Sequence, residues 1–160
     1  MRIGGKSLPK RILSLMDMEK NILALDLGKG SLGIAISRSG IFVTLLENLR
    51  FHAGCYDEAV QGLERVIKDE KIEHVVIGWP LFPSGDPCEM TPIVESFIGM
   101  IQPLFGEIEI VKVDERNTTV EASSFLHEAG KSAKKQKSNI DSAAAGVILT
   151  RYLKSIGQGN

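Results

Sequence analysis

Long apolar runs are missing from this chain. No stretch approaches the roughly 18 residues that cross a bilayer, and the N-terminus lacks the continuous apolar segment of a secretory signal. Neither membrane insertion nor export is expected, and the Asn117-Thr118-Thr119 match to a glycosylation acceptor reads as accidental. Cysteine is scarce. Cys55 and Cys88 stand far apart with no C-x-x-C spacing, which reads as two free thiols in a reducing compartment, the cytoplasm. Net charge is nearly absent, with 19 Lys plus Arg against 20 Asp plus Glu, so a nucleic-acid partner needs a local basic patch. An intact phosphate loop is also absent. Gly5-Lys6-Ser7 would need its leading glycine ahead of Met1, and Gly130-Lys131-Ser132 has Phe125 in that place. His52, His74 and His127 have no metal-ligand spacing, and no internal repeat is visible. What remains, 160 residues of which 43% are hydrophobic and 24% charged, suits one globular domain with a real core.

The stretch Asn21 to Arg38 organises the rest. Ile22 to Leu25 form an apolar run that Asp26 ends; Gly28, Gly30 and Gly33 punctuate a turn, and Gly33 to Ile36 resume the apolar pattern. That is strand, glycine turn, strand. A carboxylate closing an apolar strand is costly to bury unless it faces a cation, a donor or a metal. Capping the turn through its own side chain is the plainer alternative.

Along the chain, residues 1–20 read as a mobile basic leader, 21–156 as the domain and 157–160 as a tail. Ile41 to Phe51 suggests a third antiparallel strand. A helix opens at Asp57, with Val60, Leu63, Val66 and Ile67 on one face. His74 to Trp79 is a compact strand, and Leu81 to Glu89 a loop rich in Pro and Gly, with Phe82 a candidate for stacking on a base. Thr91-Pro92 reads as the start of a helix whose apolar face, Ile93, Phe97, Met100 and Ile101, ends at Pro103. Glu109 to Val113 is a further strand. Thr118-x-x-Glu121 opens a helix to Ala129, Lys131 to Lys137 form a flexible lysine-rich approach, and Ser138-x-x-Asp141 opens the last helix. The class is α/β: a mixed five-stranded sheet flanked by helices.

Asp26 and Glu115 follow strand ends, where ligands gather in α/β sheets. Asp141 precedes Ser142, Ala143, Ala144, Ala145 and Gly146, small residues that let a helix approach a sheet closely. Three converging carboxylates repel unless divalent cations neutralise them, and hard oxygen ligands suit Mg²⁺ or Mn²⁺. Two such ions clamp the attacking and leaving oxygens of a phosphodiester in metal-dependent nucleases. Asp114 is the alternative to Glu115, because adjacent strand residues point to opposite faces.

Four motifs in this order, Leu25-Asp26-Leu27-Gly28, Ile77-Gly78-Trp79-Pro80-Leu81, Asp114-Glu115-Arg116 with Thr118 to Ala122, and Lys134-Lys135-x-Lys137 with Ile140-Asp141-x-x-Ala144, are highly specific. Through them the chain resembles the RuvX/YqgF family, relatives of the Holliday junction resolvase RuvC with a ribonuclease H-like fold. The resemblance implies a magnesium-dependent (or manganese-dependent) endonuclease with Asp26, Glu115 and Asp141 as catalytic and metal-binding residues, acting on the 5′ end of 16S ribosomal RNA precursors; junction resolution is the older inference. Nucleic-acid contacts are expected at Lys29, Arg116, Lys134, Lys135 and Lys137. Ser31 stands where the family usually has arginine, and Ser84 where it usually has aspartate before glycine. The partner is then RNA or branched DNA, with no membrane, and self-association is left open between a monomer and a weak homodimer. Two rivals stand beside this reading: an actin-like ATPase or sugar kinase, and a non-catalytic RNA-binding accessory of ribosome or RNA polymerase.

Overall fold

In the computed structural model, the apolar run Ile22 to Leu25 is the middle of a sheet, and all four side chains are fully buried. A strand covered on both faces has no polar side to present, so alternation disappears from its sequence. Structure is described for residues 2–3, 6–7, 21–116 and 133–157, with the backbone alone described in 2–3, 6–7 and 133–141. In the leader, β1 (Arg2–Ile3) and β2 (Lys6–Ser7) pair as a short antiparallel ribbon. The domain then runs β3 (Ile22–Leu27), β4 (Ser31–Ser37), β5 (Thr44–Arg50), α1 (Tyr56–Ile67), β6 (His74–Trp79), α2 (Met90–Phe105), β7 (Ile110–Asp114) and α3 (Ala133–Gly157). The five-stranded order is β5-β4-β3-β6-β7. β3, β4 and β5 pair antiparallel in turn, β6 joins parallel to β3, and β7 joins parallel to β6.

Alternation divides the sheet into two faces. Leu23, Leu25, Leu32, Ile34, Val75 and Ile77 pack against α1 and α2, where Leu63, Val94, Phe97 and Ile101 are buried. Ile22, Ala24, Ala35 and Val76 pack against Ala145, Ile148 and Leu149 of α3. Ser142, Ala143 and Ala145 are fully buried, so the small-residue stretch does bring this helix down onto the sheet. Among the described residues no helix is long and apolar enough to cross a membrane.

Several boundaries move from their expected places. Gly33 lies inside β4, opposite Asp26, rather than in the turn, which the Gly28 N–H closes on the Ser31 carbonyl at 2.8 Å. The third strand begins at Thr44, because Gly40 adopts a positive φ of 78° and the Ser39 hydroxyl accepts from the amides of Ile41 and Phe42, forming a turn. Helix α2 starts at Met90, so Thr91 is not its cap. Its hydroxyl instead accepts from the Cys88 N–H at 2.8 Å and donates to the Pro80 carbonyl at 2.6 Å, tying the preceding loop together. The buried stripe of α2 is Val94, Phe97, Ile101 and Phe105, with Met100 exposed, and the helix runs past Pro103 to Phe105. Helix α3 begins at Ala133, which puts Lys134, Lys135 and Lys137 in its first two turns rather than on a flexible approach, and Asp141 in its third turn rather than its first. Alanine, lysine and glutamine are strong helix formers, and no proline or glycine interrupts them before Gly146. The helix expected from Thr118 to Ala129 lies outside the described residues, as does Lys131.

Candidate active site

The alternation that sorts the core also sorts the acids. On β3, Ile22 and Ala24 face α3, so Asp26 does too; on β6, Val76 faces α3, so Gly78 follows. On β7, Val111 and Val113 pack on the same side, and Glu115 comes next in that series. Asp26, Gly78 and Glu115 therefore stand at the carboxyl ends of three neighbouring parallel strands, all on the α3 face. Gly78 is what makes room for the Glu115 carboxylate. A Cβ built there would lie 2.6 Å from Glu115 Oε2 and 2.6 Å from Ile148 Cδ1. The Glu115 carboxylate thus lies over the middle strand, in the space a side chain would fill. Asp26 belongs to the next strand, about 4.8 Å away by ordinary sheet spacing.

Helix α3 enters this region through Ser142, whose hydroxyl accepts from the buried Ile34 N–H at 3.5 Å. The contact lies where the β4–β5 register shifts, between Leu32 and Ile34. Ile34 adjoins Gly33, the direct partner of Asp26. Residue 141 is thereby placed beside the strand position that pairs with Asp26. It precedes Ala145 by four residues and Ile148 by seven, on one helical stripe. The side chain of Asp141 lies outside the described residues, and among those described no three acid, imidazole or thiol groups are close enough to hold a metal.

Asp114 belongs to the other face. It follows Lys112, whose ammonium sits 4.1 Å from the Trp79 ring centroid and 2.7 Å from a carboxyl oxygen of Glu95 on α2. Arg116 donates through Nε to both Asp114 oxygens, at 3.1 and 2.9 Å, and through Nη2 at 2.7 Å. That guanidinium holds the Asp114 carboxyl below the usual carboxylate range, and the carboxylate in return raises the pKa of Arg116. Arg116 also reaches the Pro83 carbonyl through Nη1 at 3.2 Å, anchoring the loop after β6. Of the expected nucleic-acid contacts, Arg116 is thus engaged within the protein, and Lys29 pairs with Glu89 across 3.1 Å at the surface. Phe82 is 52% exposed on a loop closed by the Leu81–Pro87 bridge. Cys88 and Cys55 are free thiols, and the Thr91 hydroxyl lowers the pKa of Cys88.

Two residues escaped the sequence reading. Gly78 was legible only as part of a motif, since nothing in one sequence shows whose side chain fills the space a glycine leaves. Arg151 donates to the carbonyls on either side of Glu115. In the sequence it is one more cation toward the end of a helix.

An antiparallel three-strand meander, two parallel strands added beside its first strand, and a last helix crossing the face that bears the acids define the ribonuclease H-like fold. A solved likeness agrees: the fold matches T. thermophilus RuvC in complex with a Holliday junction substrate, TM-score 0.51, at 13% identity over 85% of this chain and 94% of that one. The chain belongs to the RuvX family, whose model, described as Holliday junction resolvase, matches residues 20–155. It is 37% identical to a Mesoplasma florum protein over 139 residues, 85% of this chain and 97% of the relative. With a Salinibacter ruber protein it shares 32% over 152 residues, 91% and 100% of the two chains. Both relatives carry the provisional name pre-16S rRNA nuclease.

Proposed function

We propose that this chain is a divalent-metal-dependent endonuclease that hydrolyses RNA phosphodiesters at the 5′ end of 16S ribosomal RNA precursors in the cytoplasm. The observation that carries the reading is the Glu115 carboxylate lying over Gly78, one strand from Asp26, on the face that α3 crosses beside residue 141. The donor set suits Mg²⁺ or Mn²⁺: hard carboxylate oxygens, which repel one another on converging and which a divalent cation neutralises. Asp26, Glu115 and Asp141 are the residues that would hold it. When bound, the metal supplies Lewis-acid stabilisation of the charge that develops on the scissile phosphate.

The chain's own residues do the rest. Asp26 is set by β3, whose ladder to β4 continues through Asp26 and Leu27, so the carboxylate starts from a rigid strand. Lys29 sits three residues on, in the turn; its surface ion pair with Glu89 is weakly held and can give way to a phosphate. Lys134, Lys135 and Lys137 precede Asp141 on α3 and bind phosphates flanking the bond that is cut. Arg116 contributes by fixing the Pro83 loop to β7, a structural part rather than a phosphate contact.

The relatives' names favour the RNA substrate, and the description of the family model favours a four-way DNA junction. Incubation of the purified chain with a labelled 16S precursor and with a four-way junction, each with Mg²⁺ and with chelator, separates them. The expected result is cleavage of the precursor alone, abolished by chelator. Cleavage of the junction alone makes the chain a resolvase, and binding of RNA with no cleavage of either makes it an accessory protein.

A further inference from the structure

Strand β7 is one of the two outer strands of the sheet, and its ladder with β6 ends at the Trp79–Asp114 pair. Glu115 follows that last pair. Its N–H makes one long contact, 3.4 Å, to the Trp79 carbonyl. A carboxylate that has to stand over a glycine of the next strand is therefore carried by a peptide that the sheet barely holds. Two arginines hold it instead. Arg151 of α3 donates through Nη1 to the Asp114 carbonyl at 2.7 Å and through Nη2 to the Arg116 carbonyl at 3.0 Å, one on each side of Glu115. Arg116 tightens the same turn, its N–H donating to Asp114 Oδ1 at 2.9 Å while its side chain grips that carboxylate from the other face of the sheet.

We propose that Arg151 is a positioning residue for Glu115, its guanidinium spanning the two flanking carbonyls and so fixing where the carboxylate stands. The planar fork offers parallel donors for two acceptors at once, which a lysine ammonium on a flexible stem does not reproduce. The brace works through the helix as well. Ile148, one turn before Arg151, packs at the same glycine that Glu115 overlies, and Asp141 lies ten residues earlier on the same helix. Arg151 thereby ties the end of β7 to the element that bears the third acid, and sets two of the three against each other. A positioning contact behind a ligand ordinarily matters by about 10-fold to 100-fold in metal affinity or activity. The inference rests on the reading of Asp26, Glu115 and Asp141 as the metal-holding set.

The test uses the full chain with Arg151→Gln, Arg151→Lys and Glu115→Gln. Amide hydrogen exchange across residues 114–116 reads the brace without any chemistry, and Arg151→Gln is expected to speed it there by about 10-fold. Titration with Mn²⁺ alone, without nucleic acid, is expected to show affinity weakened about 10-fold by Arg151→Gln and at least as much by Glu115→Gln. In cleavage of the RNA precursor, kcat falls by a similar factor while KM stays put, because Arg151 is argued to touch no substrate. Arg151→Lys, which keeps the charge and the aliphatic stem, falls between, and it carries the comparison if the glutamine variant folds poorly. Unchanged exchange at 114–116, or unchanged Mn²⁺ affinity beside a wild type that binds and cuts, overturns the role of Arg151 alone. A wild type that neither binds Mn²⁺ nor cuts overturns the reading of the site, and the inference with it.

Discussion

Gly78→Ala tests the site by filling the space over which the Glu115 carboxylate stands. Gly78 is not one of the glycines with positive φ, so alanine can adopt its backbone. Reduced freedom of the unfolded chain then favours folding by about 0.4–1 kcal/mol. Against that, the new methyl would lie 2.6 Å from Glu115 Oε2, 3.1 Å from Glu115 Cδ and 2.6 Å from Ile148 Cδ1, all closer than ordinary van der Waals contact. Overpacking of this kind costs about 1–3 kcal/mol. The net loss is about 0–2.5 kcal/mol, which at roughly 2–4 °C per kcal/mol lowers Tm by no more than about 10 °C. Activity is expected to fall much further. A reacting group displaced by about 1 Å can cost on the order of 100-fold, and Glu115 has to move by something of that order. The two losses are separable, because Ile148→Val removes Cδ1 and relieves half of the clash. In the double variant the stability penalties should add to less than their sum, while cleavage of labelled precursor RNA stays low. A Gly78→Ala protein that cuts at the wild-type rate would show that Glu115 does not need the space over Gly78, and the site as described would be wrong.

Three further outcomes follow from other residues. Asp26→Asn is expected to abolish hydrolysis while leaving the melting temperature in chelator unchanged or raised, since it removes one of several repelling charges; cleavage at the wild-type rate would reduce Asp26 to a turn residue. Lys134 and Lys137 are three apart on α3 and share a stripe, whereas Lys135 lies about 100° round the helix. The double variant Lys134→Ala/Lys137→Ala should therefore flatten the log-log salt dependence of RNA binding by about 1.4, at roughly 0.7 per single-strand phosphate, and an unchanged slope would leave both lysines merely solvated. Asp114 has its native pKa depressed by Arg116, so the stabilisation from their pair is full above the ordinary value near 3.9 and is lost as pH falls through the lower native value. Urea unfolding should show the deficit of Asp114→Asn at pH 6 shrinking steadily below about pH 4; a deficit that does not change with pH would mean the contact is not ionic in origin.

The sheet was legible in the sequence because its strands obey one strong rule. Ile22 to Leu25 and His74 to Trp79 are apolar runs closed by Asp26 and by Pro80, and their strands appear within a residue or two of where the pattern puts them. The same alternation says that Asp114 and Glu115 cannot share a face, without saying which faces α3, and the geometry places the two on opposite faces. The start of α3 was misread for a different reason. Ser138-x-x-Asp141 has the form of a helix start, but the lysine-rich segment before it has equally good helix propensity, and a cap signal inside a helix is only a serine and an aspartate. Phe97 and Ile101 of α2 are buried as the pattern puts them, but Val94 rather than Ile93 is the fully buried neighbour, because both are apolar and packing against the sheet decides between them. Arg151 was beyond reach in principle. The two carbonyls it bridges are backbone groups, which every residue has and no sequence displays.

The hydrogen bond between Ile34 and Ser142 joins residues 108 apart in the chain. Everything Asp26 and Glu115 need from the sheet is present once residue 116 has been made, yet the helix that roofs them comes later. Closing so long a loop is slow and is rewarded only when the helix docks. Until then Ile22, Ala24, Ala35 and Val76 form a bare apolar face with the acids at its edge. A chain still being synthesised, or one cut short before Ser142, would display those acids without the assembly that gives them a purpose. The order of synthesis thus delays the nuclease until its last helix is in place, and the same delay makes the uncovered sheet face the point at which an unfinished chain is prone to aggregate.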